Sequence, residues 1–399
     1  MSQNSSFHTV NKAPLHLLTV TGARPQIIKA AAVSRAIANS FSDRITEHIL
    51  HTGQHYDDNM SKVFFDELGI PHPDYNLGVG SGSHGVQTAK MIAGIEEVLQ
   101  QRHFDGIILY GDTNSTLAGA VAAAKLHIPI FHIEAGLRSF NMDMPEEINR
   151  IVCDQLSSLL FAPTQTAVDN LQRIATEGRI NGHLQQIFNC GDIMYDNSLH
   201  FARLAAEQCD TMQRMGLSRD GFILATIHRD NNTDQPDRLE QILQALCHIA
   251  HTEGIPVILP LHPRTRNKLT PLHQSLLDAE PLVKILTPLP FLEMTQLEQN
   301  ALLVMTDSGG VQKEAFFFER PCVILRPETE WIEIVQHEAG IIADADYNRI
   351  VNAYNRLAHH PVHFPPLFGD GHAAEKILKN IVEFLTGSSS QTSPTQSTR

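Results

Sequence analysis

Five apolar runs in this chain of 399 residues end on side chains that can move protons or hold anions. Asp112 closes Gly106–Tyr110, Glu134 closes Pro129–Ile133, His228 closes Phe222–Ile227, His262 closes Val257–Leu261, and Asp307 with Ser308 closes Leu302–Thr306. In open α/β sheets the ligand crevice lies beyond the carboxyl ends of the strands, so acid–base chemistry is sought at such positions. Any one of them alone is more simply a helix cap or a solvated loop. Five together point to a site.

Anion binding has two candidate segments. Asp307-Ser308-Gly309-Gly310 stands between an apolar run and the helical stretch Val311–Phe318. Its two glycines let backbone approach a diphosphate, the following helix start directs N–H groups at it, and Glu314, one turn in, can accept from a ribose diol. The bland alternative is a Ser-Gly-Gly turn. Earlier, Leu15–Val20 runs into Thr21-Gly22-Ala23-Arg24-Pro25, where a helix start carrying Arg24 and Lys29 favours anions; an ordinary basic surface helix reads as well. That first turn has no G-x-G-x-x-G. The pattern occurs instead at Gly80–Gly85, after Pro71 and Pro73, which suits a loop closing on a ligand and not a dinucleotide fingerprint.

Other motifs read as structure. Met144-Pro145-Glu146-Glu147 is how many helices begin, and Glu146 with Arg150 is an i,i+4 pair, so spacing alone makes Glu146 structural. His51 and His55 have the same spacing, but no third ligand follows, so no metal is expected.

These residues need a scaffold that brings strand ends together. From Leu15, β-branched runs alternate with amphipathic stretches, the signature of βαβ units on a parallel sheet. Strands are expected at Leu15–Gly22, Ile45–Gly53, Gly106–Asp112 and Pro129–Glu134, and a second series at Gln186–Asp192, Gly221–His228, Pro256–His262, Leu282–Thr287, Leu302–Ser308 and Cys322–Arg326. The fold class is therefore α/β with two doubly wound, Rossmann-like domains, 15–185 and 186–370, and ligand expected in the cleft between them. Residues 1–14 read as a flexible amino terminus, 371–386 as a last amphipathic helix, and 387–399, rich in Ser, Thr and Gln, as a disordered tail.

A formal net charge of −14 with no dense basic stripe excludes nucleic acid as an expected partner. No apolar run reaches the roughly 20 residues that a membrane span needs, and the amino end has no secretory pattern, so a cytoplasmic protein is expected. Five scattered cysteines without a C-x-x-C read as free thiols.

Taken in order, Gly22-Ala23-Arg24-Pro25, His51-Thr52-Gly53-Gln54-His55, Gly111–Thr116, His132–Arg138, Pro145–Arg150 and Thr306–Glu314 resemble the non-hydrolysing UDP-N-acetylglucosamine 2-epimerases, over about residues 15 to 385. The resemblance implies a glycosyltransferase-B-like fold, a homodimer, a carboxyl-terminal helix crossing back to the first domain, and a UDP-sugar as partner. It implies Asp112, Glu134, Glu146 and His228 as catalytic, which overturns the structural reading of Glu146. Arg24, Lys29, Arg138, Arg150, His262, Ser308, Gly309, Gly310, Glu314 and Arg326 are implied as substrate-binding. The chemistry is anti elimination of UDP to a 2-acetamidoglucal and re-addition with protonation on the other face of C2. No hydride moves, so no cofactor is expected.

Two departures stand out. Where relatives often read His-Arg-x-Glu-Asn, this chain has His228-Arg229-Asp230-Asn231-Asn232, and its His51–Met60 segment differs from that of the allosterically activated members. Leu137–Met142 and Glu328–Trp331 also resemble the epimerases of UDP-2,3-diacetamido-2,3-dideoxyglucuronate, an alternative substrate. A glycosyltransferase of the same fold and a non-catalytic nucleotide-sugar binder are the readings from other classes.

Overall fold

Continuous apolar runs such as Gly-Ile-Ile-Leu-Tyr and Leu-Val-Met-Thr, buried at every position, are what strands covered on both faces require. In the computed structural model, which describes residues 13–53, 70–174, 179–180 and 183–387, they form two parallel sheets. The chain divides into unit 1, residues 1–197 with 368–399, and unit 2, residues 198–367.

Unit 1 contains β1 (Leu15–Thr21), β2 (Ile45–His51), β3 (Tyr75–Asn76), β4 (Gly106–Tyr110), β5 (Ile130–Ile133), β6 (Leu159–Ala162), a small antiparallel pair β7 (Arg179–Ile180) and β8 (His183–Leu184), and β9 (Gln186–Asn189). Its sheet has the order β3-β2-β1-β4-β5-β6-β9, all parallel. Unit 2 contains β10 (Ile223–Thr226), β11 (Val257–Pro260), β12 (Val283–Leu286), β13 (Leu303–Thr306), β14 (Cys322–Ile324) and β15 (Gly340–Ile342), in the order β12-β11-β10-β13-β14-β15. Strand order reverses between β1 and β4 in one sheet and between β10 and β13 in the other. At such a switch point neighbouring loops diverge to opposite faces and leave a crevice.

Gln186–Asn189, expected to open the second series, instead pairs with β6 and completes the first sheet. Being parallel to β6 and separated from it by the helix Gln165–Ile174, β9 covers an edge of β6 that would otherwise be open. β6 itself, four apolar residues with no alternation, was not expected from the sequence; neither were β3 and β15.

Alternate residues of the first sheet serve two cores. Leu17, Ile108, Tyr110, Phe131 and Phe161 pack with Ile377, Leu378 and Ile381 of the helix Ala373–Thr386, which therefore belongs to unit 1. Leu18, Val20, Ile107 and Leu109 face Met91, Ile95 and the Ala-rich helix Asn114–Lys125. Gly119 lets that helix lie close, since a Cβ there would meet Leu109 Cδ2 at 2.6 Å. All five cysteines are free, four of them buried. No helix among the described residues is long and apolar enough to cross a membrane. His55, Met60, residues 1–12 and the tail 388–399 lie outside the described residues.

Candidate active site

In unit 1 the switch point places Gly22-Ala23-Arg24 after β1 and Gly111-Asp112 after β4. Gln26 secures this junction: its Oε1 accepts from Ala23 N at 3.1 Å, and its amide donates to Tyr110 O at 2.9 Å and to Thr116 Oγ1 at 3.0 Å. The helix Arg24–Ala36 thus begins beside the end of β4, with Arg24 exposed.

Lys29, one turn further on, ion-pairs with Glu134 at the end of β5. Burial alone would depress the Lys29 ammonium, but Glu134, with Asp112 and Asp192, holds it above its ordinary pKa. A Cβ on Gly111 would sit 3.2 Å from Lys29 Nζ, so the ammonium lies beneath the turn that carries Asp112. Asp112 accepts from Arg150 Nη1 at 2.6 Å. Burial and the Glu134 charge raise its pKa, against the opposing effects of Lys29 and Arg150. One carboxyl that favours its proton thus neighbours another paired with an ammonium, an arrangement suited to proton transfer in two directions.

The helix Pro145–Leu156 divides its two glutamates. Glu146 is exposed and close enough to Asp112 to raise its pKa further. Glu147 is buried and accepts from Ser139 N at 2.9 Å, Ser139 Oγ at 3.0 Å, Phe140 N at 3.2 Å and Arg150 Nε at 3.1 Å. Burial would raise its pKa, but these donors hold it below the usual carboxylate range. Arg150 therefore pairs with Glu147 and Asp112, not with Glu146 as the i,i+4 spacing suggested. Its guanidinium orients acids. Arg138 is also withdrawn from solvent, with its side chain 5% exposed and ion-paired to Asp154 at 2.6 Å.

In unit 2 the switch point joins His228, after β10, to Asp307-Ser308-Gly309-Gly310, after β13. Asp307 has no exposed surface and receives His228 N and Arg229 N at 3.1 and 3.0 Å and Asn232 Nδ2 at 3.1 Å, while His228 Nδ1 lies 3.0 Å away. Burial opposes its ionisation, but these partners outweigh burial and keep its pKa low. Asp307 is thus the residue that fixes the His228 imidazole by Nδ1. Asn232 also donates to Leu325 O at 2.8 Å, while Asn231 beside it is exposed.

Ser308 caps the helix Gly309–Phe317, its Oγ accepting from Val311 N at 3.4 Å. Neither glycine has a positive φ, and added Cβ atoms would meet nothing nearer than 3.4 Å at Gly309 or 3.8 Å at Gly310. The protein's own packing therefore does not require glycine there. Trp331 Nε1 donates to Gly309 O at 2.8 Å, and Arg326 holds Glu330 through two contacts of 2.8 and 2.9 Å. A glycine-led helix start with a guanidinium beside it is an arrangement that favours an anion such as a diphosphate.

Glu314 is partly buried next to Glu298 of the helix Phe291–Asn300, and burial pushes both carboxyls up, Glu298 well above the ordinary range. His262 is exposed, and its Nδ1 accepts from Arg264 N at 3.3 Å. Asp154 lies outside the motifs singled out from the sequence, and neither the burial of Glu147 nor the hold of Asp307 on His228 has a local sequence signal. No group of three or more His, Cys, Asp or Glu suited to a metal occurs among the described residues.

A family profile described as UDP-N-acetylglucosamine 2-epimerase matches residues 38–382. A UDP-2,3-diacetamido-2,3-dideoxy-D-glucuronate 2-epimerase of Pseudomonas aeruginosa is 48% identical over 371 residues, 92% of this chain and 100% of that one. The crystal structure of the Methanocaldococcus jannaschii UDP-GlcNAc 2-epimerase in complex with UDP-GlcNAc and UDP superposes with a TM-score of 0.74 at 38% identity, covering 92% and 99% of the two chains. Phytolacca americana UGT2, at 11% identity and a TM-score of 0.56 over 94% of each chain, shares the glycosyltransferase-B-like fold alone. With Asp112 and the glycine pair each at a strand-order reversal, and a profile match that spans both sheets, the chain belongs to the UDP-N-acetylglucosamine 2-epimerase family.

Proposed function

We propose that this chain is a non-hydrolysing 2-epimerase that interconverts UDP-N-acetylglucosamine and UDP-N-acetylmannosamine. The observation that carries the reading is the pair of unlike acids on adjacent strands: Asp112, whose pKa is raised, and Glu134, bound to Lys29. A C2 proton beside an acetamido group is weakly acidic, and loss of UDP from C1 makes its removal feasible. A base takes the proton, the C2–H electron pair forms the C1=C2 bond, and the C1–O pair leaves with UDP. In return UDP re-forms the C1–O bond while an acid delivers a proton to the opposite face of C2. Two acid/base groups are needed, and the reading assigns them to unit 1 among Asp112, Glu134 and the exposed Glu146.

Diphosphate binding is assigned to unit 2, with Ser308, Gly309 and Gly310 at the helix start, Glu314 at the ribose, and Arg326 and His228 facing the charge that develops on departing UDP. Arg24, exposed in unit 1, would add positive charge, whereas Lys29 acts in this reading through Glu134, which it holds. Arg138 and Arg150, expected to bind substrate, act in this reading through the acids they hold. A cytoplasmic homodimer remains part of the proposal, supported by the sequence resemblance.

A second reading has its own support: the 48% relative is named for the diacetamido uronate, and Leu137–Met142 and Glu328–Trp331 resemble that group. Proton NMR of each UDP-sugar incubated with the protein tests both. The proposal expects the manno epimer from UDP-N-acetylglucosamine, with UDP and free sugar remaining minor. A kcat/KM at least about tenfold higher for the uronate, about 1.4 kcal/mol of discrimination, selects the second reading. Transfer of the sugar to an acceptor, or no turnover of either sugar, overturns both.

A further inference from the structure

The turn that carries Glu134 is conformationally costly: its φ of 68° is a region that L side chains seldom occupy, whereas Gly111 and Gly136, at 61° and 81°, adopt it freely. Such backbone persists only where its surroundings over-determine it. Here one buried imidazole reaches both turns. His132 on β5 has no exposed surface; its Nε2 lies 2.8 Å from Gly111 O, and its Nδ1 lies 2.8 Å from Asp154 Oδ1. The other oxygen of Asp154 accepts from Gly136 N at 3.3 Å and ion-pairs with Arg138 Nη2 at 2.6 Å. Asn149 completes the clamp by donating to Asp112 O at 2.8 Å.

Counting protons decides what this imidazole is. A backbone carbonyl only accepts, so Nε2 carries hydrogen. A carboxylate only accepts, so a second proton must lie between Nδ1 and Asp154; two lone pairs facing each other at 2.8 Å would repel. We propose that His132 and Asp154 share a proton-bridged, buried charge pair, and that with Arg138 it acts as the positioning unit for both catalytic turns. The three groups sum to one positive charge, beneath two acids that must ionise in turn. His132 and Asp154 touch no reacting atom in this account, and Arg138 is withdrawn from substrate to complete them. The positioning role rests on the proposed function. The proton count does not.

The test uses the full-length protein labelled with nitrogen-15 in histidine. At pH 7.5, with His132 assigned through its own backbone, wild type should show both ring nitrogens protonated and exchanging slowly. His132→Gln keeps a donor for Gly111 O but none for Asp154, and Asp154→Asn leaves no carboxylate to hold the second proton. Each should lower kcat by about 10- to 100-fold, the scale of a small misplacement of catalytic groups, with KM and the UDP dissociation constant changed less than about twofold. Asp154→Asn should also return the His132 ring to a neutral tautomer. A bare ring nitrogen at His132 in folded wild type overturns the proposal, and so does wild-type kcat in either folded variant. If neither variant folds, the wild-type spectrum still decides the proton count. Wild type that shows the doubly protonated ring but epimerises neither sugar loses the proposed function and keeps the charge pair.

Discussion

Asp112→Asn should lower turnover by about 10²- to 10⁴-fold while leaving UDP affinity within about twofold of wild type. The asparagine keeps the shape and the acceptor for Arg150 but cannot carry a proton to or from C2. Folding should survive, because Arg150 retains Glu147 and the asparagine Oδ1 still accepts from Arg150 Nη1. The pH profile sharpens the test. Burial and Glu134 raise the Asp112 pKa, so the form with its proton in place persists above the ordinary aspartate range and is lost as pH rises through the folded value. Activity that needs that proton declines across the same window, and the variant should lack this limb. Glu134→Gln should depress turnover comparably but less cleanly. It strands the buried Lys29 ammonium, so stability falls as well. Near wild-type turnover in both variants would remove unit 1 from the chemistry.

Gly309→Ala and Gly310→Ala should weaken UDP binding by at least about tenfold, about 1.4 kcal/mol, without harming the fold. Neither glycine has positive φ, and a methyl group at either would meet ordinary contacts at 3.4 Å or more. Both stand in the first turn of the helix Gly309–Phe317, where alanine is the better helix former by up to about 1 kcal/mol. Thermal denaturation should therefore show equal or higher stability as calorimetric titration shows lost affinity. Unchanged UDP affinity in both variants would mean that the diphosphate lies elsewhere.

Which residues could be read in advance follows from the range of the forces involved. The ends of β4, β5, β10 and β13 were legible because a polar residue closing a buried apolar run is a local pattern, and so Asp112, Glu134, His228 and Ser308 stood out. The helix starting at Pro145 was equally local. Its glutamates were not separable, because only the tertiary position of Ser139 and Phe140 makes Glu147 the buried member. The same holds for Arg138 and Arg150, whose basic side chains suggest an anionic ligand until Asp154, Glu147 and Asp112 are seen around them. β9 was legible as a strand, but nothing within Gln186–Asn189 specifies which sheet edge receives it. β6 escaped notice because four apolar residues carry no period.

The most direct measurement is proton NMR of UDP-N-acetylglucosamine with the enzyme in heavy water. Proton removal and return at C2 predict that deuterium enters the product at C2, at one atom per turnover, in wild type, and that the same labelled product forms about 10²- to 10⁴-fold more slowly with Asp112→Asn. A manno product formed with its C2 hydrogen still derived from substrate would contradict acid–base transfer at that carbon, and with it the account of these two sheets.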